Sequence, residues 1–192
     1  MAFAADTVGI HLGLNDTDPR NWPNYRDQFV SDYLTLINAF REVNPDCEIW
    51  VCRMTPIFHG HSRFKSGTRD WFWQIQRKIE AVAASAHTGL IDFHPRLYQR
   101  PDLMPDNLHP NAEGAGFWAQ AVYGHLTGDF GGLRLPITYS DNMVLQRGKP
   151  LRIAGQANAR ETVTVKVAGE KAKTVAAAVG QWTVTLAALR AG

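Results

Sequence analysis

Short apolar segments alternate with longer amphipathic ones between residues 6 and 127, and this alternation constrains the fold more than any other feature. The short segments are Thr7–Leu12, Glu48–Met54 and Leu90–Phe93, and each is followed by a polar or proline-containing stretch. Segments of this kind are typical of parallel strands that are buried on both faces. A repeated strand–helix pattern predicts an α/β fold with three layers.

The segments between the strands place apolar residues at helical spacing, which predicts one packing face on each of three helices. In chain order these faces comprise Tyr25, Phe29, Tyr33, Ile37 and Phe40, then Trp71, Ile75, Ile79, Val82 and Ala86, then Ala115, Ala119, Val122 and Leu126. Residues 21–23 (Asn-Trp-Pro) are the start signal of the first helix. Gly89 is expected to end the second helix, and residues 94–105 are predicted to be a loop.

A glycine-rich stretch from Gly128 to Pro136 marks a change of pattern. We predict a first domain over residues 1–128, a linker over residues 129–136 and a second domain over residues 137–192. Short alternating segments between turn residues predict that the second domain is a partial all-β, sandwich-like module. Its predicted strands are Met143–Leu145, Leu151–Ile153, Thr162–Val167 and Trp182–Leu186.

Composition argues against several classes of function. The formal net charge is only +2 and the basic residues are dispersed, so no nucleic-acid partner is predicted. No apolar run is long enough to span a membrane, and residues 1–6 lack the length and basic charge of a secretory signal. Cys47 and Cys52 fall in one predicted strand roughly 16 Å apart, too far for a disulfide, so both are expected to be buried thiols.

Residues 105–110 (Pro-Asp-Asn-Leu-His-Pro) contain the first candidate chemistry, because Asp106 and His109 stand three residues apart between two prolines. Proline fixes its own φ and disfavours helix at the preceding residue, so a rigid loop is predicted. A carboxylate at this spacing can accept the Nδ1–H of the imidazole and leave Nε2 available as a base. The alternative is a surface turn in which Asp106 only caps the helix that follows.

Residues 13–16 (Gly-Leu-Asn-Asp) follow the first strand, at the end where ligands sit in open α/β sheets. Gly13 would let the backbone approach a ligand closely, and Asn15 offers an amide donor of the kind that stabilises a developing oxyanion. The alternative for Asn15 and Asp16 is an ordinary turn or a helix cap.

A polar loop over residues 57–69 contains His59 and His61. Two histidines at this spacing suggest a metal, but no cysteine or carboxylate stands nearby at ligand spacing, so substrate contact or solvation is the favoured interpretation. No metal and no cofactor is predicted. Trp73 lies off the packing face of the second helix and is expected to reach this loop.

The two motifs together resemble the third and fifth sequence blocks of the SGNH (GDSL-like) hydrolase family, Gly-x-Asn-Asp and Asp-x-x-His, over residues 6–127. The resemblance implies a flavodoxin-like sheet and ester hydrolysis by a Ser-His-Asp triad. It implies that His109 is the base, that Asp106 orients it, and that Asn15 and Gly13 belong to the oxyanion site. Weaker candidates for substrate contact are Asp16, His59, His61 and Trp73.

The second domain adds another resemblance. Residues 141–147 (Asp-Asn-Met-Val-Leu-Gln-Arg) and residues 180–184 (Gly-Gln-Trp-Thr-Val) look like the opening β region of sialate O-acetylesterases. The resemblance implies that the chain joins the end of one esterase domain to the start of another. It also implies an acetylated carbohydrate substrate, of the sialate O-acetylesterase or the acetylxylan esterase kind.

The nucleophile of the SGNH family lies in a Gly-Asp-Ser block, and this tripeptide does not occur in the 192 residues. We therefore expect the N-terminal half of the hydrolase domain, with its serine, to lie upstream of this chain and to be its partner. The chain alone is expected to be inactive, and the family leads us to expect a secreted or periplasmic protein. The alternative is a non-catalytic carbohydrate-binding or scaffold fragment.

Overall fold

The structure, a computed structural model, describes residues 4–62, 69–136 and 138–189, with the backbone alone for residues 69 and 70. The chain divides into two compact units, Met1–Trp118 and Ala119–Gly192. In the described ranges, no helix combines the length and the apolar character that crossing a membrane would require.

The sheet of the first unit contains, within the described residues, three strands: β1 (Thr7–Ile10), β2 (Glu48–Arg53) and β3 (Gly89–Asp92). They pair in the order β1-β2-β3, and both pairings are parallel, as the sequence predicted. At the end of the register Arg53 lies opposite Asp92. Because the strands run in one direction, their C-terminal ends meet at a single border of the sheet, the carboxyl edge.

The helices of the described chain are α1 (Trp22–Tyr25), α2 (Phe29–Val43), α3 (Arg69–Ala86), α4 (His94–Tyr98) and α5 (Ala112–Thr127), with 3₁₀ turns at Asn15–Thr17 and Pro101–Leu103. The prediction of one continuous first helix is wrong, because residues 26–28 form a turn between α1 and α2. Trp22 is the buried residue of α1 and packs edge-on against Phe29, whereas Tyr25 is exposed. The buried aromatic residue of this segment is therefore Trp22 and not the predicted Tyr25.

The main core of the first unit lies between α2, α3 and the sheet. The packing face predicted for α3 is confirmed at four positions, which are buried: Ile75, Ile79, Val82 and Ala86. Gln76 fastens α3 to the segment after β2. Its buried side chain accepts a hydrogen bond from the Met54 N–H at 2.9 Å and donates one to the Met54 carbonyl at 3.2 Å.

The connection from α3 onward differs from the prediction. The helix ends at Ala86, and His87, with φ 51°, takes the left-handed conformation expected of a glycine stop. Gly89 begins β3 instead, and a side chain there would collide with the Trp50 ring. Residues 94–105, predicted to be a loop, contain α4 and a 3₁₀ turn, each with a proline where the first helical turn tolerates it.

The predicted inward face of α5 is also wrong. The exposed residues include Ala115, Ala119 and Leu126, and the buried ones are Gly114, Ala121 and Gly124. The prediction followed the aliphatic residues, but glycine permits the closest backbone approach. A Cβ at position 114 would come within 2.8 Å of Pro110, so the packed face follows the glycines.

The second unit contains, within the described residues, two antiparallel strand pairs. β4 (Leu151–Gln156) pairs with β7 (Gln181–Leu186), and β5 (Thr162–Val167) pairs with β6 (Glu170–Val175). Its core is formed chiefly by Ile153, Val163, Trp182, Val184 and Leu186.

Two strand predictions fail in this unit. Met143–Leu145 lies outside the described strands; Val144 is almost fully exposed, and Leu145 is only partly buried. Strand β6 was not predicted, because charged residues dominate its sequence. It forms because Ala168 and Gly169 have φ values of 48° and 85°, the positive pair that a tight hairpin turn requires.

Candidate active site

Asp106 and His109 form a tight pair in the loop before α5. Oδ2 of Asp106 lies 2.6 Å from Nδ1 of His109, and Oδ1 accepts the backbone N–H of His109 at 2.6 Å and of Leu108 at 2.9 Å. The His109 backbone N–H, its ring and the Leu108 N–H together hold the pKa of Asp106 well below its usual range. The carboxylate therefore stays ionised at neutral pH, and Nε2 is the ring nitrogen that Asp106 does not engage.

The loop around this pair is fixed by its backbone. Asn107 has φ 65°, a left-handed conformation that asparagine tolerates, and its carbonyl accepts the Phe58 N–H at 2.9 Å. Leu108 is buried in the main core. Both attachments hold the loop backbone against the core, whereas the side chains of Asp106 and His109 remain 54% and 71% exposed.

A different residue caps the helix that follows the loop. Asn111 Oδ1 accepts the Gly114 N–H at 2.9 Å, which satisfies a donor in the first turn of α5. The alternative in which Asp106 caps this helix is therefore wrong, because both carboxylate oxygens of Asp106 bond within the loop.

The glycine–asparagine corner follows β1. Gly13 is buried with φ 112°, and a Cβ there would lie 2.9 Å from Ile75 and 3.2 Å from the Met54 sulfur, so only glycine fits without displacement. Asn15 is exposed and begins a 3₁₀ turn, and its carbonyl accepts the Asn21 side-chain amide at 3.0 Å. The turn predicted as the alternative is thus present and holds the asparagine backbone in place.

Both motifs lie at the carboxyl edge of the sheet. Gly13 follows β1, and a Cβ there would lie 3.2 Å from the sulfur of Met54, the residue directly after β2. The Asp106–His109 loop is bonded to Phe58, four residues further along that same segment. The segments after two neighbouring strands thus bring an amide-bearing corner and an acid–imidazole pair to one border of the sheet, where open α/β sheets bind their ligands.

Comparison with protein-family models gives one match that covers more than half of the chain. The model of the GDSL-like lipase/acylhydrolase family matches residues 1–116. The chain belongs to this family. The SGNH resemblance of the sequence is thereby confirmed, and the similarity of the second domain to sialate O-acetylesterases stays a prediction.

Individual relatives of this GDSL-like chain include carbohydrate esterases. An acetylxylan esterase of Xylanibacter ruminicola is 26% identical over 152 residues, which cover 64% of this chain and 28% of that protein. A GDSL-like lipase structure from Parabacteroides merdae superposes with a TM-score of 0.51 at 17% identity and covers 63% of this chain and 62% of that one. A carbohydrate esterase family 3 structure from Talaromyces cellulolyticus gives a TM-score of 0.48 at 22% identity and covers 63% and 56%. The chain thus spans about a quarter of the curated relative, and the structural likeness concerns the fold.

The weaker site candidates of the GDSL-like domain are spread along the same edge. His59 is exposed and His61 is partly buried in the segment after β2. Asp16 N–H donates to the Gly13 carbonyl at 3.0 Å, and burial raises the pKa of the Asp16 carboxyl against the opposing effect of a backbone hydrogen bond. No group of three or more histidine, cysteine or acidic residues is placed to hold a metal among the residues that the structure describes.

Trp73 lies beside the end of β3. Its ring centroid is 5.3 Å from that of His94 and 5.1 Å from that of Phe72. Residues 63–68 of the polar loop that Trp73 was expected to reach lie outside the described residues.

Sequence reasoning missed His94, which follows β3 by two residues. Its N–H donates to Asp92 Oδ1 at 3.0 Å, and Arg53 binds Asp92 Oδ2 at 2.6 Å across the two strands. Burial lowers the pKa of His94; Arg53 adds to this effect and Asp92 opposes it. The signal in the sequence was the residue pair His94-Pro95 directly after a strand, which sequence analysis assigned to an unstructured loop.

His11 was also missed, and its environment is structural. The ring lies between Phe93 and Trp118, both at 5.3 Å in edge-to-face geometry, and burial lowers its pKa. A neutral imidazole enclosed by two aromatic rings is a packing residue, in contrast to the exposed ring of His109.

The serines of the described chain do not complete a triad. Ser31, on α2, donates its hydroxyl to the Gln28 carbonyl at 2.8 Å. Within the described residues His109 hydrogen-bonds Asp106 and no serine hydroxyl. Asp106 and His109 therefore form an acid–imidazole pair, and no serine hydroxyl is bonded to it among the residues that the structure describes.

Proposed function

We propose that the chain is part of a carbohydrate O-acetyl esterase of the acetylxylan esterase or sialate O-acetylesterase kind. The observation that carries this proposal is the 2.6 Å contact between Asp106 Oδ2 and His109 Nδ1 in an exposed loop at the carboxyl edge. The family match and the similarity to an acetylxylan esterase support the reaction class and the substrate class.

The proposed reaction uses a serine that these 192 residues do not supply. The serine oxygen attacks the acetyl carbonyl while Nε2 of His109 takes its proton, and the same proton then passes to the sugar hydroxyl as it leaves. Asp106, ionised and bonded to Nδ1, stabilises the imidazolium that forms in between. Water then hydrolyses the acetyl-serine with His109 again as the base.

The tetrahedral intermediate needs donors for its oxyanion. We assign this role to the Asn15 amide, with Gly13 allowing the backbone to approach closely. Loss of one such donor typically lowers turnover by ~10²–10³-fold. Substrate contacts on either side of the reacting ester are assigned to Asp16, His59, His61 and Trp73.

The proposal also covers the fold. Residues 1–128 would be the C-terminal part of a three-layer, flavodoxin-like domain, completed by a partner segment that bears the nucleophile. Residues 129–136 would be the linker, and residues 137–192 part of a sandwich-like module. The parallel sheet in the first unit and the antiparallel pairs in the second are consistent with this organisation.

An acetyl-release assay tests the proposal on two proteins. The chain 1–192 is expected to release no acetate from acetylated xylan. The longer polypeptide with a Gly-Asp-Ser block upstream is expected to release it, and His109→Ala there should lower turnover by ~10⁴-fold or more while substrate binding survives. Turnover of the His109→Ala variant at the normal rate would exclude His109 as the base. Acetate release from neither protein would favour the non-catalytic alternative.

A further inference from the structure

Three aromatic side chains form a continuous row at the carboxyl edge. The His94 ring stacks on the Tyr98 ring, with centroids 5.0 Å apart and an interplanar angle of 21°. The His94 ring also contacts the Trp73 ring, with centroids 5.3 Å apart and an interplanar angle of 59°. We call Trp73, His94 and Tyr98 the aromatic row. Its members come from the early part of α3 and from both ends of α4, so the row depends on tertiary structure and not on one sequence motif.

The row reaches the surface at both ends. Tyr98 is 59% exposed and Trp73 is 41% exposed, and the His94 ring between them is partly buried. Contiguous exposed aromatic groups of this kind mark interaction sites, whereas single exposed ones need no explanation. The His94 imidazole and the Tyr98 hydroxyl add polar groups at the rim of the row.

Packing and a backbone hydrogen bond connect the row to the candidate catalytic loop. Leu97, between His94 and Tyr98 on α4, is fully buried in a small cluster with Leu103 and Met104, and Phe58 packs against that cluster. The same Phe58 donates its N–H to Asn107 in the Asp106–His109 loop. One side of α4 is therefore anchored beside the loop while its other side presents aromatic rings to solvent.

The geometry points to the aromatic row as a binding subsite for the sugar rings of a polysaccharide, at a fixed offset from His109. A pyranose ring presents C–H groups on its faces and hydroxyls around its perimeter, which matches apolar ring faces bordered by polar atoms. Tyrosine and tryptophan suit such contacts because each combines a large apolar face with one polar group. The inference rests on the proposed function, because it takes the carbohydrate chain of that substrate as the ligand.

Binding measurements on the chain 1–192 test the subsite without any turnover. The probes are xylohexaose and its acetylated form, titrated by calorimetry into the wild type, Tyr98→Ala, Tyr98→Phe and Tyr123→Ala. Tyr123 is a matched control, since it is 56% exposed on α5 and lies outside the row. We expect Tyr98→Ala to weaken the binding of both probes by about fivefold, and Tyr98→Phe and Tyr123→Ala to stay within about twofold of the wild type. Trp73→Ala should behave as Tyr98→Ala does.

Three results would overturn the subsite. The first is that the wild type binds neither probe. The second is that Tyr98→Ala and Tyr123→Ala bind the probes with equal affinity. The third is that Tyr98→Ala changes the oligomeric state in sedimentation, which would make the row a contact between copies of the chain. Because the titration needs no nucleophile, its failure leaves the esterase proposal standing. Conversely, a failure to release acetate leaves the binding result unaffected.

Discussion

At the scale of single residues, Asp106 determines the state of the candidate site. Its carboxylate accepts three hydrogen bonds from within the loop, two of them from the backbone. It therefore both shapes the loop and sets the orientation and tautomer of the His109 ring. The two tasks are inseparable in this geometry, because the same four-residue segment supplies all the donors.

This bonding predicts an unusual acid titration of Asp106. The folded-state pKa lies below that of the unfolded chain, which is about 3.9. The carboxylate therefore contributes stability above pH ~4 that is lost as pH falls through the folded-state pKa. The difference in free energy of unfolding between wild type and Asp106→Asn should shrink as pH falls below about 4.

The carboxyl-carbon chemical shift of Asp106, followed by NMR, measures the same property directly. The midpoint of the carboxyl titration should fall well below that of a free aspartate. A midpoint near 3.9 would contradict the hydrogen bonds described.

Single residues also show what the sequence could and could not predict. The Asp106–His109 contact follows from a local spacing between two prolines, so it was predictable. His94 was not, because its neighbours Trp73 and Asp92 come from a distant helix and from a strand end. Contacts of that kind become visible only when the register of β3 and the start of α3 are known.

At the scale of elements, prediction was accurate where apolar residues alone determine packing. The α3 face was found because large aliphatic residues recur at helical spacing against the sheet. On α5 the same procedure gave the wrong face, because Gly114 and Gly124 make the close contacts and carry no hydrophobic signal. Strand β6 was overlooked because it too carries no hydrophobic signal. It is created by a tight turn and by backbone pairing with β5.

The packing of Gly13 against α3 predicts the effect of a substitution there, and Gly9 offers a matched control. Gly13→Ala forces a residue with φ 112° to carry a Cβ 2.9 Å from Ile75, so it should lower the free energy of unfolding by about 2 kcal/mol or more. Gly9→Ala, on β1, is the control, since a Cβ there meets nothing within 4 Å, and it should change stability by less than ~0.5 kcal/mol. Urea denaturation of the two variants measures both values, and equal midpoints would contradict the steric role of position 13.

At the scale of the whole molecule, the two units differ in construction. The first has a parallel sheet packed against helices, and the second has two antiparallel strand pairs around a core that includes Trp182. Both cysteines, Cys47 and Cys52, belong to the first unit, where both are buried and neither forms a disulfide. Thiol chemistry therefore reports on one unit only.

This distribution predicts the reactivity of the protein towards a chromogenic disulfide reagent. Burial raises the pKa of Cys52 to about 12, and the thiolate is the reactive form, so the folded protein should react slowly at pH 8. In denaturant both thiols should react fully, and the labelling rate at intermediate denaturant should follow the unfolding of the first unit. Rapid labelling of two thiols in native buffer would contradict the burial described.

The backbone hydrogen bond between Phe58 and Asn107 has a consequence for how such a protein can diversify. Because the anchor of the loop uses main-chain atoms, it does not itself depend on which side chains stand at positions 58 and 107. Position 107 is restricted to residues that tolerate a left-handed backbone, and position 108 to an apolar residue that fits the core. Selection on new substrates can therefore act on the neighbouring side chains while the reacting groups stay where they are.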